Sequence, residues 1–338
     1  MSAAPTPTNV ESREPIPTPS PSGGPPRTVR RRFRPIDLVP YVPALVPIAI
    51  IVAIAFTLVD ATGLTNLGPS FWSTDWNPSR ASSDGGPAFG ILVFVVGSFI
   101  TAVPALVLAM LIGLGIAIAS TTYLPRFVTQ FLDPCVDLLA GIPSIVYGIW
   151  AYVFLAPLFG TRINPFINAH LSFIPGLGPP VPSNGYGVPV TVFILTLMVL
   201  PITTLLMRDA LRSVPRDLWE AGLGAGATRW ETTRRVAIPY AFRGIVSAGF
   251  LGFARAFGET VAVAMIVGDQ FVIPSNAYGG TNTMAAVMFS QLDNAFGNGQ
   301  FLAALAEMAL VLLAISLLIN LVGRRLVTQL STYDVQGL

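Results

Sequence analysis

The chain has 338 residues, of which 53% are hydrophobic and only 11% are charged, whereas about 25% of the residues of an average soluble domain are charged. So few charges cannot cover a soluble globule of this length, and the composition therefore predicts a polytopic membrane protein. All 19 basic residues are arginine, which excludes from this chain a P-loop and Schiff-base chemistry, because both need a lysine. The single cysteine (Cys135) and single histidine (His170) exclude an intrachain disulfide and a Cys-rich or multi-histidine metal centre.

Residues 1–35 are rich in proline and contain few large apolar residues. Such a segment cannot bury enough surface to offset its ordering entropy, so we predict a disordered tail. Six apolar segments follow, each reaching the roughly 20 residues that a helix needs to cross a bilayer. They cover residues 40–59, 89–119, 137–160, 188–207, 244–268 and 301–322. The second is overlong and contains Pro104, so it is either one kinked helix or a helix with a surface extension.

The distribution of arginine orients these segments. With the N-terminus in the cytoplasm, sixteen of the nineteen arginines lie on the inner side, Arg80 and Arg162 lie in outer loops, and Arg255 lies within a span. Because arginine is enriched in cytoplasmic loops, we predict that the chain lies in the plasma membrane with both termini in the cytoplasm. In the first outer loop, Trp72 and Trp76 lie either at the membrane–water boundary or packed within the loop.

The third apolar segment is interrupted by Pro143, which is followed by Ser144 and Tyr147. An interrupted helix exposes backbone and hydroxyl donors that suit an anion. A kink in which both hydroxyl groups are satisfied is the simpler alternative. Just before this segment, Asp133 and Asp137 are expected to cap and solvate a helix start rather than to bind a metal.

Between the fourth and fifth segments, residues 208–243 form a polar stretch on the inner side, with predicted helices at 209–221 and 227–237. A Glu-Ala-Gly triplet is followed at fixed spacing by a glycine and a proline; these residues are Glu220, Ala221, Gly222, Gly226 and Pro239. The pattern resembles the signature loop of bacterial ABC importer permeases, in which an alanine stands in place of Gly222. The resemblance implies a coupling loop that contacts a separate ATPase subunit, with Gly226 permitting a sharp turn. An ordinary solvated loop is the alternative.

The fifth segment contains Arg255 and Glu259, followed by Thr260. A spacing of four places the two charged side chains on one helix face, where they form an ion pair. Because charged groups are costly in a membrane and a pair rarely outperforms apolar residues, we expect the two to line a substrate path. The alternative is an ion pair that fixes helix register. Four small residues at a spacing of four predict close packing and a central position for this helix. They are Gly244, Ala248, Gly252 and Ala256.

Residues 140–148 (AGIPSIVYG), 255–263 (RAFGETVAV) and 318–320 are similar to segments of the phosphate importer permeases of the Pst type. The resemblance covers residues 36–325, and the long N-terminus and first outer loop resemble PstC-type more than PstA-type subunits. It implies a heterodimer with a PstA-like permease, two PstB-like ATPases that hold ATP and magnesium, and an external PstS-like phosphate-binding protein. It also implies that Arg255 and Glu259 belong to the path of inorganic phosphate, and it implies no nucleic-acid partner.

We therefore expect an all-α bundle of six transmembrane helices with the ABC importer permease fold. The permease domain covers 36–325 and residues 326–338 form a cytoplasmic tail. The expected function is that of the permease subunit of an ATP-driven phosphate importer in contact with membrane lipid, without catalytic residues, metal or cofactor of its own. The alternatives are a permease for sulfate or molybdate, and a secondary transporter or membrane enzyme with the Arg/Glu pair as a proton relay. Internal repeats would indicate a secondary transporter, and none is evident.

Overall fold

A computed structural model describes residues 41–63, 68–80 and 82–333. The predicted tail at 1–35 therefore lies outside the described residues. The chain divides into two compact units, Met1–Val52 and Ala53–Leu338. The second unit contains all the elements discussed below, apart from the first part of α1.

Helices dominate the described residues, with one antiparallel pair of short strands. The helices are α1 (Tyr41–Thr62), α2 (Leu92–Ile118), α3 (Arg126–Ala140), α4 (Ser144–Trp150), α5 (Ala156–Leu158), α6 (Asn164–Leu171), α7 (Val188–Arg212), α8 (Arg216–Gly224), α9 (Arg229–Thr232), α10 (Ile238–Phe257), α11 (Val261–Ile266), α12 (Met284–Ala295) and α13 (Gly299–Tyr333), and the strands are β1 (Trp76–Asn77) and β2 (Ala88–Phe89). Single π-helical turns extend α2 to Tyr123, join α4 through α6, and join α9 to α10.

Five helical stretches among the described residues are long and apolar enough to cross a membrane. They are Leu92–Tyr123, Ser144–Leu171, Val188–Arg212, Arg229–Phe257 and Gly299–Thr328. The all-α membrane bundle is thus confirmed, and the overlong second segment is one continuous helix. The count of six spans is not reproduced, because the apolar part of α1, Leu45–Asp60, is shorter than the other five.

Several predicted boundaries are wrong. The third span begins at Ser144 rather than at 137 and runs to Leu171, into the predicted outer loop, because Pro143 disfavours helix in the residue before it and separates α3 from α4. The fourth helix extends to Arg212, which shortens the predicted loop at 208–243. The fifth predicted span ends as a helix at Phe257 instead of continuing to 268. The last helix reaches Tyr333, so residues 326–333 of the predicted tail at 326–338 are helical.

The close packing predicted from the small residues of the fifth span is confirmed. A Cβ atom on Gly252 would lie 2.6 Å from Cγ2 of Thr203 in α7. A Cβ atom on Gly244 would overlap the Cβ of Ala210, which also belongs to α7. Ala248 and Ala256 are buried. Since these positions admit nothing larger without a shift, α10 lies directly against α7 in the interior of the second unit.

The segment before α2 packs around Trp76. The β1–β2 pair places Trp76 opposite Phe89, and the indole also contacts Phe94 and Phe301 at ring-centroid distances of 5.0 and 5.9 Å. Trp76 is therefore packed within its loop, which was one of the two alternatives, whereas Trp72 is half exposed. Aromatic edge-to-face contacts of this kind fasten the segment to the starts of α2 and α13.

Helix α12 lies between the fifth and the last of the predicted spans, where no helix was predicted. The side chain of Thr283 caps it by accepting a hydrogen bond from Ala286 N at 3.2 Å, and its first turn is buried. The loop before it approaches α2 so closely that a Cβ atom on Gly97 would overlap the carbonyl oxygen of Asn282. Gly97 is thus required for this contact.

Candidate functional site

The fifth span is interrupted where its charged residues lie. α10 ends at Phe257, Gly258 to Thr260 leave the helix, and α11 begins at Val261. The hydroxyl of Thr260 donates to the Gly258 carbonyl at 3.2 Å, and the carbonyl of Thr260 accepts from Ala264 N at 2.9 Å. Arg255 therefore lies in the last turn of α10, whereas Glu259 and Thr260 lie in the break.

This break overturns the predicted geometry of the charged pair. Because α10 ends between Arg255 and Glu259, the two side chains do not share a helix face. Within the described ranges, Arg255 forms no salt bridge with an acidic side chain. Arg255 is exposed and Glu259 is partly buried. The guanidinium is thus available to a ligand in this conformation rather than neutralised by its neighbour.

The third span contributes a second break beside the first. α3 ends at Ala140 and α4 begins at Ser144, directly after Pro143. A Cβ atom on Gly148 of α4 would lie 2.8 Å from Met265 Sδ and 3.1 Å from Ala262 Cα, both on α11. The helix is thus broken at Pro143, which was one of the two alternatives, and α4 lies against α11 at Gly148.

Both helices run in the same direction from this contact. The stretch beginning at α4 leads to Gly160, which lies against Gly185, and α11 leads to Ile266, whose carbonyl accepts from Gly187 N at 3.0 Å. The starts of α4 and α11 therefore lie side by side. The first N–H groups of a helix lack intrahelical partners and carry a partial positive charge, so this arrangement suits an anion.

Tyr147 does not offer a free hydroxyl. It lies within range of the charge of Arg255. The Tyr147 hydroxyl donates to the Leu139 carbonyl at 3.0 Å across the break between α3 and α4, and the residue is only 7% exposed. Ser144, at the start of α4, is partly buried. The alternative of a satisfied hydroxyl therefore holds for Tyr147.

An ionic group near the C-terminal end of α7 was missed from the sequence. Asp133 and Asp137 lie within α3 and pair with Arg208 of α7, so they do not cap a helix start as expected. Arg208 is 5% exposed, although the sequence placed it in a solvated loop. The signal that was available is the spacing of four between the two aspartates, which puts both on one face of a helix.

The coupling loop contains the predicted sharp turn. α8 ends in a Schellman motif, in which Gly226 N donates to Leu223 O at 3.0 Å and Ala227 N donates to Gly222 O at 3.2 Å. The φ angle of Gly226 is +85°, a conformation that glycine adopts without steric cost. The prediction of a glycine-ended helix is confirmed. The helix begins at Arg216 rather than at 209, because α7 continues to Arg212.

The second helix of the loop begins at Arg229 and does not end before Pro239. A capping box joins the Thr228 hydroxyl and the Glu231 backbone N–H, with the Glu231 carboxylate accepting from Thr228 N. The helix then continues through a π-helical turn into α10, where Pro239 occupies the first turn. A proline inside a continuous helix removes one intrahelical hydrogen bond, and the π-helical turn Thr233–Ala237 lies directly before it.

Gly222, the departure from the family signature, has a packing reason. A Cβ atom at this position would lie 2.8 Å from Thr232 Cγ2, so glycine lets α8 approach α9. No residue of α8 is buried, including Glu220 and Ala221. Leu218, Leu223 and Trp230 are 38–52% exposed. Exposed apolar side chains on a polar segment are typical of a surface that contacts another protein.

The sequence matches known transport proteins over most of its length. Residues 111–331 match the family described as the binding-protein-dependent transport system inner membrane component. A phosphate transport system permease protein PstC from Mesorhizobium japonicum is 36% identical over 279 residues, which cover 81% of this chain and 82% of that protein. A PstC 1 protein from Mycobacterium tuberculosis is 34% identical over 306 residues, covering 85% and 90% of the two chains.

A solved structure has the same fold. The inward-facing MetNI methionine ABC transporter matches with a TM-score of 0.50 and 19% sequence identity, over 71% of this chain and 97% of that chain. At this identity the likeness shows the fold alone. It places the described helices in the architecture of ABC importer permeases.

Proposed function

The chain belongs to the family of binding-protein-dependent transport system inner membrane components, within it to the PstC-type permeases, and we propose that it is the permease subunit of an ATP-driven importer of inorganic phosphate. The observation that carries the substrate class is the exposed guanidinium of Arg255 in the last turn of α10, next to the break that precedes α11, the helix against which α4 packs. A phosphate ion carries one to two negative charges, and its passage through an apolar interior without a positive partner is prohibitive.

In the proposed path, the positive charge of Arg255 offsets the negative charge of the phosphate ion in the interior of the membrane. Ser144 and Thr260 lie at the beginnings of α4 and α11, where the Ser144 hydroxyl and the adjacent N–H groups donate to phosphate oxygens. The Thr260 hydroxyl does the same by exchanging its bond to the Gly258 carbonyl for one to the ion. Tyr147 supports this site by spanning the break between α3 and α4. Glu259 adds a negative charge within the break. This charge repels the anion, so it weakens binding and favours release.

The loop from Arg216 to Pro239 is proposed to receive the ATPase subunit. The supporting observations are the absence of buried residues in α8 and the exposed apolar side chains of Leu223 and Trp230. This chain has no lysine for a P-loop, so ATP and magnesium are held by the partner. The complete importer is proposed to contain a PstA-like permease, two PstB-like ATPases and a PstS-like phosphate-binding protein.

Uptake into vesicles tests this function directly. The chain is purified with its partner subunits and reconstituted with the binding protein, and uptake of radiolabelled phosphate and sulfate is measured with ATP or a non-hydrolysable analogue. We expect phosphate uptake with ATP alone, and little sulfate uptake. Equal uptake of the two oxyanions would contradict selectivity for phosphate, and uptake with the analogue would contradict ATP-driven transport.

Cysteine labelling tests the proposed orientation, with both termini and the coupling loop in the cytoplasm. A Cys135→Ser background is used to introduce single cysteines at Ser83, Ser172 and Ala225, all of which are exposed. We expect a membrane-impermeant thiol reagent applied from outside to label the first two and to spare the third. Labelling at 225 in intact cells would overturn the orientation, and detergent-permeabilised cells control for reactivity at all three positions.

A further inference from the structure

The inner end of α7 carries a group of ion pairs, here called the ionic cluster. Arg208 Nη1 lies 2.6 Å from Asp133 Oδ1 and Nη2 lies 3.7 Å from Asp137 Oδ1, while Arg212 Nη2 lies 3.1 Å from Asp133 Oδ2. The Arg208 side chain is 6% exposed and that of Asp133 20%. A partly buried ion pair is screened little by solvent, so its geometry is well defined.

The ionic cluster is the principal attachment of α3. Of the residues of α3, only Val136 is buried, whereas Phe127, Phe131 and Leu138 are 73–82% exposed. α7 is the helix that α3 packs against. Since little apolar surface of α3 is covered within this chain, the charged contacts determine where α3 lies relative to α7.

The other end of α3 reaches the proposed phosphate path. Leu139 lies six residues after Asp133, about 9 Å along the helix, and its carbonyl accepts the Tyr147 hydroxyl at 3.0 Å. Tyr147 belongs to α4, which packs through Gly148 against Ala262 of α11. A displacement of α3 at the ionic cluster is therefore transmitted to the first turn of α4.

The beginning of this route lies at the coupling loop. α7 ends at Arg212, one turn beyond Arg208, and α8 begins at Arg216. A movement imposed on α8 thus reaches the arginines of the ionic cluster within a few residues. An ion pair has discrete made and broken arrangements, unlike an apolar contact that slides, and such two-state elements carry coupling between sites.

We propose that the ionic cluster transmits movement of the coupling loop to the phosphate path, with Asp133, Asp137 and Arg208 as positioning residues. This inference rests on the proposed function. It explains why charges are retained at a buried place where apolar residues of similar volume are often as stable.

Neutral variants separate transmission from folding. Asp133→Asn, Arg208→Gln and the double variant are assembled with the partner subunits, and ATP hydrolysis and phosphate uptake are measured in the same vesicles. We expect assembly and ATP hydrolysis to be retained while phosphate uptake per ATP falls about tenfold, the scale of coupling changes produced by such networks. In the double variant the charge of Arg208 is removed together with that of its partner. Its phosphate uptake per ATP should therefore fall no further than that of either single variant.

The matched control is Asp75→Asn, which removes the partner of Arg80 in an ion pair of 2.7 Å in the outer loop and is expected to leave uptake per ATP unchanged. A double variant with the uptake per ATP of the unmodified complex would overturn the inference. So would a double variant that fails to assemble, because the cluster would then serve folding. If the unmodified complex carries no phosphate, the proposed function fails, and the inference fails with it.

Discussion

Arg255→Gln should reduce phosphate uptake by at least about tenfold while the complex still assembles. The guanidinium is exposed in the last turn of α10, next to the break before α11, and has no acidic partner among the described residues, so its loss removes a charge available to the anion. A hydrogen bond to a charged group contributes about 1.5–3 kcal/mol, which corresponds to about 10- to 100-fold. Arg255→Lys keeps the charge but not the planar fork of donors, and it should retain intermediate uptake.

Uptake is measured in vesicles against the amount of assembled complex. Arg325→Gln, which changes an exposed arginine near the end of α13, is the matched control and should transport normally. Normal uptake by Arg255→Gln would exclude a role in the path. If Arg255→Gln failed to assemble, and Glu259→Gln failed in the same way, the two residues would instead form a structural ion pair in a different conformation of the protein.

Gly226→Val should abolish transport while leaving the chain inserted in the membrane. A side chain at this position would meet no atom within 4 Å, so a clash is not the cause. The cause is the backbone, because φ is +85° and this region costs an L-residue about 1–2 kcal/mol, more when the side chain is β-branched. The substitution would open the turn between α8 and α9 and displace the surface proposed to receive the ATPase.

Gly224→Val is the matched control for this variant. Gly224 is the last residue of α8, has no positive φ angle and also has open space around it. The same substitution there should leave ATP-driven uptake within about twofold, since the helix propensities of valine and glycine differ by only a few tenths of a kcal/mol, in favour of valine. Normal uptake by Gly226→Val with intact stimulation of ATP hydrolysis would show that the turn does not transmit work.

Local sequence signals were sufficient for the turn after α8 and for the packing of α10. The spacing of Glu220, Gly226 and Pro239 placed the turn correctly, because a positive φ angle after a short helix strongly favours glycine. The repeat from Gly244 to Ala256 identified a buried face, because only small residues permit this approach of two backbones. Both features depend on residues close together in the chain.

The break after Phe257 could not be predicted in the same way. The run from Ala254 to Val263 contains no proline, and its apolar residues continue the helical pattern, so a continuous helix was expected. The break is supported by contacts made elsewhere in the chain, with Gly148 admitting Ala262 of α11. Its consequence for the site is large, because it separates Arg255 from Glu259.

The ionic cluster was missed for a related reason. Arginines near a span are normally assigned to the cytoplasmic surface by the positive-inside rule, and Arg208 was counted there. Its partners lie about 70 residues earlier in the chain, on α3. The spacing of four places the two aspartates on one helix face but does not identify Arg208 as their partner. Long-range ion pairs of this kind become visible only when the helices are placed together.

The contact between Gly222 and Thr232 has an evolutionary consequence. A methyl group at position 222 would lie 2.8 Å from the Thr232 methyl carbon, so the two positions share one limited volume. Family members that carry the customary alanine at the first position should tend towards serine, alanine or glycine at the second, and a threonine there should accompany glycine. Glycine at position 222 and threonine at position 232 would then compensate each other, and the two residues would be inherited together.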